Sequence, residues 1–199
     1  YEISACLVGS EMCIRDRETV LSSYAHQYNV SKLRWIFAGG INGQESISNG
    51  IYGLKKNGVK KDDLVLIHDA VRPLVSQSII SSNIAICKQY GYAITGIQCR
   101  EAILESDDGF CSVTSIPRDK LIRTQTPQTF RLENIINVHE QAKSKGIINS
   151  VSSCTLLAEL GGYEMHIVPG EERNIKITTT EDLEIFKVLR QTSKEDWLK

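Results

Sequence analysis

The chain of 199 residues is long enough for one domain with a substantial core. Its formal net charge of −1 provides no global field to draw it to nucleic acid or an anionic membrane, so any phosphate must be held by a local cluster. No apolar run approaches membrane-spanning length, and the cysteines (Cys6, Cys13, Cys87, Cys99, Cys111, Cys154) lack C-x-x-C spacing, which points away from a zinc site and towards reduced thiols in a cytoplasm.

Residues 1–17 (YEISACLVGSEMCIRDR) show neither helical nor strand periodicity. They read as an extraneous segment outside the fold, the alternative being an irregular N-terminal arm. Residues 18–28 predict a helix with Val20, Leu21 and Tyr24 on one stripe. A short strand follows at 33–38, ending in Gly39-Gly40, and helical spacing returns over 44–54. Glycines between a strand and a helix let a backbone approach a ligand, or merely shape the turn.

The run Leu64-Val65-Leu66-Ile67 predicts a strand buried on both faces of a parallel sheet. It stops at His68-Asp69, and Arg72-Pro73 turns the backbone out of the sheet. In open α/β sheets ligands bind beyond the carboxyl ends of the strands. An acid and a base at such an end can hold a metal, a polyol or a phosphate. The structural alternative is that Asp69 caps the next helix and Arg72 pairs with it on the surface.

Residues 78–90 predict a helix with Ile79, Ile80, Ile84 and Cys87 on one face, and 93–97 a strand. The turn Asp107-Asp108-Gly109 between strand-like runs at 102–105 and 110–113 predicts a β-hairpin. Residues 117–120 and 124–128 are polar and without periodicity. Helices are expected at 132–145 and 151–160, then a strand at 164–169. Residues 174–178 alternate with period two, and Thr180 is placed to cap a last helix whose first turn is acidic. His68 reads as a packing or hydrogen-bonding residue at its strand end, and His26, His139 and His166 show no ligand spacing. Strands alternating with helices give an α/β fold with a mainly parallel sheet.

The segments IHDAVRP (67–73), IPRDKLIRTQTPQTF (116–130) and VPGEERNIKITTTEDL (168–183) resemble, in order and spacing, signatures of the sugar-phosphate cytidylyltransferases. GGINGQESISNGI (39–51) resembles the cytosine-facing segment of that family, and the match runs from about residue 18 to 189. The resemblance implies a Rossmann-like nucleotidyltransferase fold with a protruding hairpin arm. The implied reaction is Mg²⁺-dependent attack of a polyol phosphate, of erythritol or ribitol type, on the α-phosphorus of CTP, releasing pyrophosphate. It implies that Arg118 and Lys176 are catalytic, gripping the nucleophilic phosphate. Asp69 and Arg72 would bind the polyol, with Asp69 also a candidate near the metal, and Gly40, Ile41 and Ser46 would contact the nucleotide. Finally it implies a homodimer through the 102–116 hairpin, with Arg118 reaching the neighbour's active site.

Departures accompany the match. The family's first strand and its GGxGxR…PK loop, which cradles the CTP triphosphate, have no counterpart in residues 1–28. Residues 18–199 are therefore read as a cytidylyltransferase domain lacking both, and the chain as given is expected to be inactive. The alternative is a catalytically dead member acting as a binding or assembly module. Gly43 stands where Arg is common, Ala102 where the erythritol enzymes tend to have Thr, and Ser152-Ser153 replaces an acidic pair. These differences make a ribitol-type substrate credible.

Overall fold

The computed structural model describes residues 5–8 and 18–191. In chain order the elements are β1 (Ala5–Val8), α1 (Glu18–Gln27), β2 (Leu33–Phe37), α2 (Gly43–Lys56), β3 (Leu64–Ile67), α3 (Gln77–Tyr90) and β4 (Tyr92–Gln98). There follow β5 (Ile103–Glu105), β6 (Thr114–Ile116), a single 3-10 turn at Arg118–Lys120, and β7 (Ile122–Arg131). Then come α4 (Leu132–Ser144), α5 (Ser153–Leu160), β8 (His166–Pro169) and α6 (Thr180–Gln191). The chain divides into two compact units, Tyr1–Val65 with Phe130–Met165 and Leu66–Thr129 with His166–Lys199.

In the first unit, Ala5–Val8 forms a strand parallel to β2, with Val8 opposite Phe37. That strand lies within residues 1–17, read from the sequence as an extraneous segment or an irregular N-terminal arm. Four apolar residues are too few for periodicity to register, and the remainder of that segment lies outside the described residues. The core comes chiefly from α4 and α5, where Leu132, Ile135, Val138 and Ala142 are buried with Leu156 and Leu157. The spacing of 3, 3 and 4 along α4 is one helical face.

In the second unit the doubly buried strand is β4, whose Ala93, Ile94, Thr95 and Gly96 are all enclosed. The Leu64–Ile67 run, expected to be buried on both faces, is only half-buried at each of its four residues. Sheet order is β3-β7-β4-β8. β8 runs parallel to β4, with Ala93 opposite His166. β7 runs the other way: Cys99 N donates to Leu121 O and Thr95 Oγ1 to Pro127 O, so partners on β7 retreat as β4 advances. The sheet is mixed, not mainly parallel.

The strand at 122–131 was hidden by its polarity. Gln125, Thr126, Gln128 and Thr129 are buried, and a buried polar group needs specific partners that periodicity cannot reveal. One set is supplied by α3, where Asn83 stands fully buried in the face expected to be apolar. Its Nδ2 donates to Thr95 Oγ1 at 2.8 Å, and Thr129 Oγ1 donates to its Oδ1 at 3.4 Å.

Three further expectations shift. The hairpin pairs Ile103 with Ile116 and Glu105 with Thr114, so the second strand is 114–116 rather than 110–113. Residues 106–113 are taken up by a loop in which Asp108 Oδ1 accepts from Phe110 N and Cys111 N at 2.8 and 2.9 Å. Those N–H donors hold the Asp108 carboxyl below its ordinary value. Residues 174–178 form no strand; Ile177 N bonds Val71 O, and Asn174, on the polar phase of the alternation, is the buried residue. The cap of α6 is Thr179, not Thr180: Thr179 Oγ1 accepts from Asp182 N, and Asp182 Oδ2 accepts in return from the Thr178 and Thr179 amides.

On α4, His139 is buried and its Nε2 has no hydrogen-bond partner. Burial pushes its pKa down to about 4. Above its ordinary value near 6.5 the ring is neutral in both states, folded and unfolded. As pH falls below that, the unfolded chain binds a proton that the folded chain refuses, and stability drops until the pH reaches about 4. Comparing urea unfolding at pH 7 and about pH 4.5, His139→Phe should lose less stability than the parent, the gap being about 2–3 kcal/mol. Equal losses in the two proteins would refute this account of His139.

Candidate active site

The turn after β3 places the first chemistry-bearing residues of the second unit. Asp69 N donates to Thr126 Oγ1 at 2.9 Å, which ties the turn to β7. The Thr126 hydroxyl lies 3.1 Å from His68 Nδ1, and His68 Nε2 lies 3.0 Å from Arg72 O. Because Thr126 Oγ1 already accepts from Asp69, its own proton points to Nδ1, and Nε2–H donates to Arg72 O. That arrangement is the neutral imidazole. Burial lowers the pKa of His68, outweighing the raising contributions of its bonds and of Asp69. His68 thus braces the turn, as its strand-end position predicts.

Arg72, with a side chain only 12% exposed, is held on two sides. Its Nε donates to Asp69 Oδ2 at 3.2 Å, and its Nη1 to Asn174 O at 2.7 Å. The same Asp69 oxygen lies 3.4 Å from Lys176 Nζ, whose side chain is 47% exposed. The structure therefore unites three of the predicted residues, Asp69, Arg72 and Lys176, as one carboxylate between two cations. Asp69 Oδ1 makes no hydrogen bond with the described residues, and Lys176 Nζ keeps donors free for an incoming group. The reading of Asp69 as a helix cap fails, because α3 is capped by Ser76, whose Oγ accepts from Ile79 N.

Arg118 is not part of this group. It is exposed in the 3-10 turn, and its Nη1 donates to Arg100 O at 2.7 Å. The turn itself is fastened to β4 by Gln98 Nε2, which donates to the carbonyls of Arg118 and Asp119.

In the first unit, the N-terminus of α2 gathers Gly40, Ile41 and Ser46. Gly40 N donates to Ser46 Oγ at 2.9 Å, and Ser46 Oγ donates to Asn42 O. Ile41 N donates to Glu45 Oε2. A Cβ at Gly40 would collide with Glu45 Cβ, so glycine is required for this close approach. Ser46 is buried, whereas Ile41 is 71% exposed. Asn42 caps the helix through Glu45 N, and Gln44 clamps the 147–150 loop by donating to Ile147 O and accepting from Ser150 N.

Sequence reasoning singled out neither Thr126, Gln125 and Asn174 around the charged turn nor Glu45 beside Gly40. The first three lie inside the quoted motifs, but only pairing across β7 shows that they support the charged residues.

Asp69 fits poorly as a resident ligand for a divalent ion. One of its oxygens is already engaged by two cations, and among the described residues no group of three His, Cys, Asp or Glu side chains is placed to hold a metal. Mg²⁺ is normally bound through one or two carboxylates together with substrate phosphates. Among the described residues no helix is long and apolar enough to cross a membrane.

The family model described as "IspD: 2-C-methyl-D-erythritol 4-phosphate cytidylyltransferase" matches residues 16–191. A ribitol-5-phosphate cytidylyltransferase of Lacticaseibacillus paracasei is 32% identical over 178 residues, 88% of this chain and 75% of the relative. A 2-C-methyl-D-erythritol 4-phosphate cytidylyltransferase of Clostridium acetobutylicum is 35% identical over 164 residues, 82% of this chain and 68% of the relative. Among solved structures, the 2-C-methyl-D-erythritol 4-phosphate cytidylyltransferase of Francisella tularensis superposes with a TM-score of 0.72 at 26% identity, covering 81% of this chain and 74% of that one. With its motifs in register and this fold beneath them, the chain belongs to the 2-C-methyl-D-erythritol 4-phosphate cytidylyltransferase family, a family of enzymes.

Proposed function

We propose that this protein transfers CMP from CTP to a polyol phosphate, releasing pyrophosphate, and that the polyol is ribitol 5-phosphate in preference to 2-C-methyl-D-erythritol 4-phosphate. The observation that carries the reading is the Asp69–Arg72–Lys176 cluster, in which two cations share one carboxylate beyond the end of β3. An in-line transfer between two anions requires positioning and charge neutralisation more than a covalent group. Lys176 supplies a mobile point charge for the nucleophilic phosphate. Asp69 accepts hydroxyl protons of the polyol through its open Oδ1, acting as a hydrogen-bond acceptor rather than a metal ligand. Arg72, doubly held, fixes Asp69. Gly40, Ile41 and Ser46 face the nucleotide base. The preference for ribitol rests on Gly43 and Ala102 and on the names of several relatives.

Arg118 contacts its own Arg100 carbonyl and not the Asp69 cluster. That supports a role in the site of a second copy, in a homodimer formed through residues 102–116. Leu104, Phe110 and Val113 are exposed on and beside this hairpin, and two short antiparallel strands leave unpaired edges. The triphosphate, by contrast, has no glycine-rich basic loop of the family's pattern in residues 1–28. Residues 1–199 as given should therefore release no pyrophosphate from CTP with either polyol phosphate, and turnover near ~10 per second would overturn that expectation.

Kinetic tests belong in a chain whose N-terminus carries the family's strand and basic loop. There Lys176→Ala and Arg118→Ala should each cut turnover by orders of magnitude, since each removes a charge-assisted contact worth about 1.5–3 kcal/mol in binding and more in the transition state. Near-parental pyrophosphate release by the Lys176 variant would defeat the assignment. Mixing the two inactive variants should restore part of the activity, because a mixed dimer has one site with both residues intact. Failure of complementation would show that Arg118 serves its own chain. Deleting residues 102–116 should yield a monomer by sedimentation at micromolar concentration; an unchanged dimer would place the interface elsewhere.

A further inference from the structure

Lys176 is half exposed and its contact with Asp69 is long at 3.4 Å, a kind of ion pair too weak to fix a flexible side chain by itself. Its placement must come from the backbone of the segment between β8 and α6. That segment is fastened by an amide pair. Asn174 Nδ2 donates to Gln125 Oε1 at 3.2 Å and to Thr126 O at 2.9 Å. Gln125 Nε2 donates in return to Asn174 O at 3.3 Å and to Glu171 O at 2.9 Å. Both acceptors fix which end of the Asn174 amide is nitrogen. Asn174 is fully buried, Gln125 is 6% exposed, and a Cβ on Gly170 would collide with Gln125 Oε1. The same Asn174 carbonyl receives Arg72 Nη1.

A burial this complete leaves Asn174 Oδ1 without a partner. Such an orphan acceptor costs free energy, so stability alone does not favour asparagine here. What Asn174 does achieve is to join three parts at one point: β7 through Gln125 and Thr126, Arg72 through its carbonyl, and Lys176 two residues further on. We propose that Asn174, paired with Gln125, is a positioning residue that holds Lys176 beside Asp69 for the polyol phosphate. This rests on the functional reading of the Asp69 cluster.

The test uses the 199-residue chain and ribitol 5-phosphate as the probe, with affinity measured by calorimetry and each variant's structure solved. Lys176→Ala should weaken binding at least tenfold. Asn174→Ala should weaken it comparably, while the double variant should bind within about twofold of Lys176→Ala alone, because a residue acting through Lys176 loses its effect once Lys176 is gone. In the Asn174→Ala structure, Lys176 Nζ should leave ion-pair distance of Asp69. Gln125→Ala should reproduce this pattern and replaces Asn174→Ala should that variant not fold. Parental affinity in Asn174→Ala, or losses that multiply in the double variant as a general loosening would make them, overturns the proposal. If the parent does not bind, or Lys176→Ala binds as well as the parent, the reading of the cluster fails instead. The positioning role is then decided by the structure: Lys176 still beside Asp69 in the Asn174→Ala variant overturns it.

Discussion

Asp69 carries one charge between two cations, and the second unit is arranged to keep those three side chains in place. A partly exposed carboxylate facing Arg and Lys in solvent would gain little from either. Here the gain is secured by fixing the backbones first. The Asp69 amide is tied to Thr126, Arg72 is held at its carbonyl by His68 and at its guanidinium by Asn174 O, and Ile177 N closes on Val71 O. Charge is the visible feature of the site, but neutral hydrogen bonds determine where it stands.

Those bonds converge on β7. A strand of sequence IRTQTPQTFR would be a poor core strand by composition alone. It succeeds because nearly every buried polar group along it has an assigned partner: Gln125 and Thr126 O take Asn174, Thr126 Oγ1 takes Asp69 N, and Thr129 takes Asn83. Running antiparallel to β4, it presents one set of these groups to α3 and another to the charged turn. Polar networks of this kind are costly unless complete, which ties the integrity of the sheet to that of the site.

This explains how much could be read in advance. The helices were legible because 3.6-residue spacing survives wherever one face is buried, as along α4. The charged triad was legible because IHDAVRP and NIKITT are distinctive as strings. The supporting layer was not, since nothing local marks Gln125 or Asn174 as buried, and the pairing that buries them joins residues some fifty positions apart. For the same reason a period-two pattern at 174–178 suggested a strand where there is none. Ala5–Val8 escaped notice for the opposite reason: it is too short to have a period, and its partner β2 decides its state.

The three positions taken as marks of substrate do not carry equal weight once their surroundings are known. Ser152 caps α5, accepting from Thr155 N while Thr155 Oγ1 accepts from Ser152 N, and Ser153 is buried in the first turn. Serine is a favoured N-cap residue, so helix geometry accounts for Ser152, though not for Ser153, whose buried Oγ has no hydrogen-bond partner. Gly43 is different. It opens α2 where a Cβ would meet nothing within 4 Å, and its backbone conformation lies outside the left-handed region. Packing therefore does not demand glycine there, and the position loses helix propensity by having it. It stands in the first turn of α2, next to the Asn42 cap, so neither sterics nor helix formation accounts for glycine at this position.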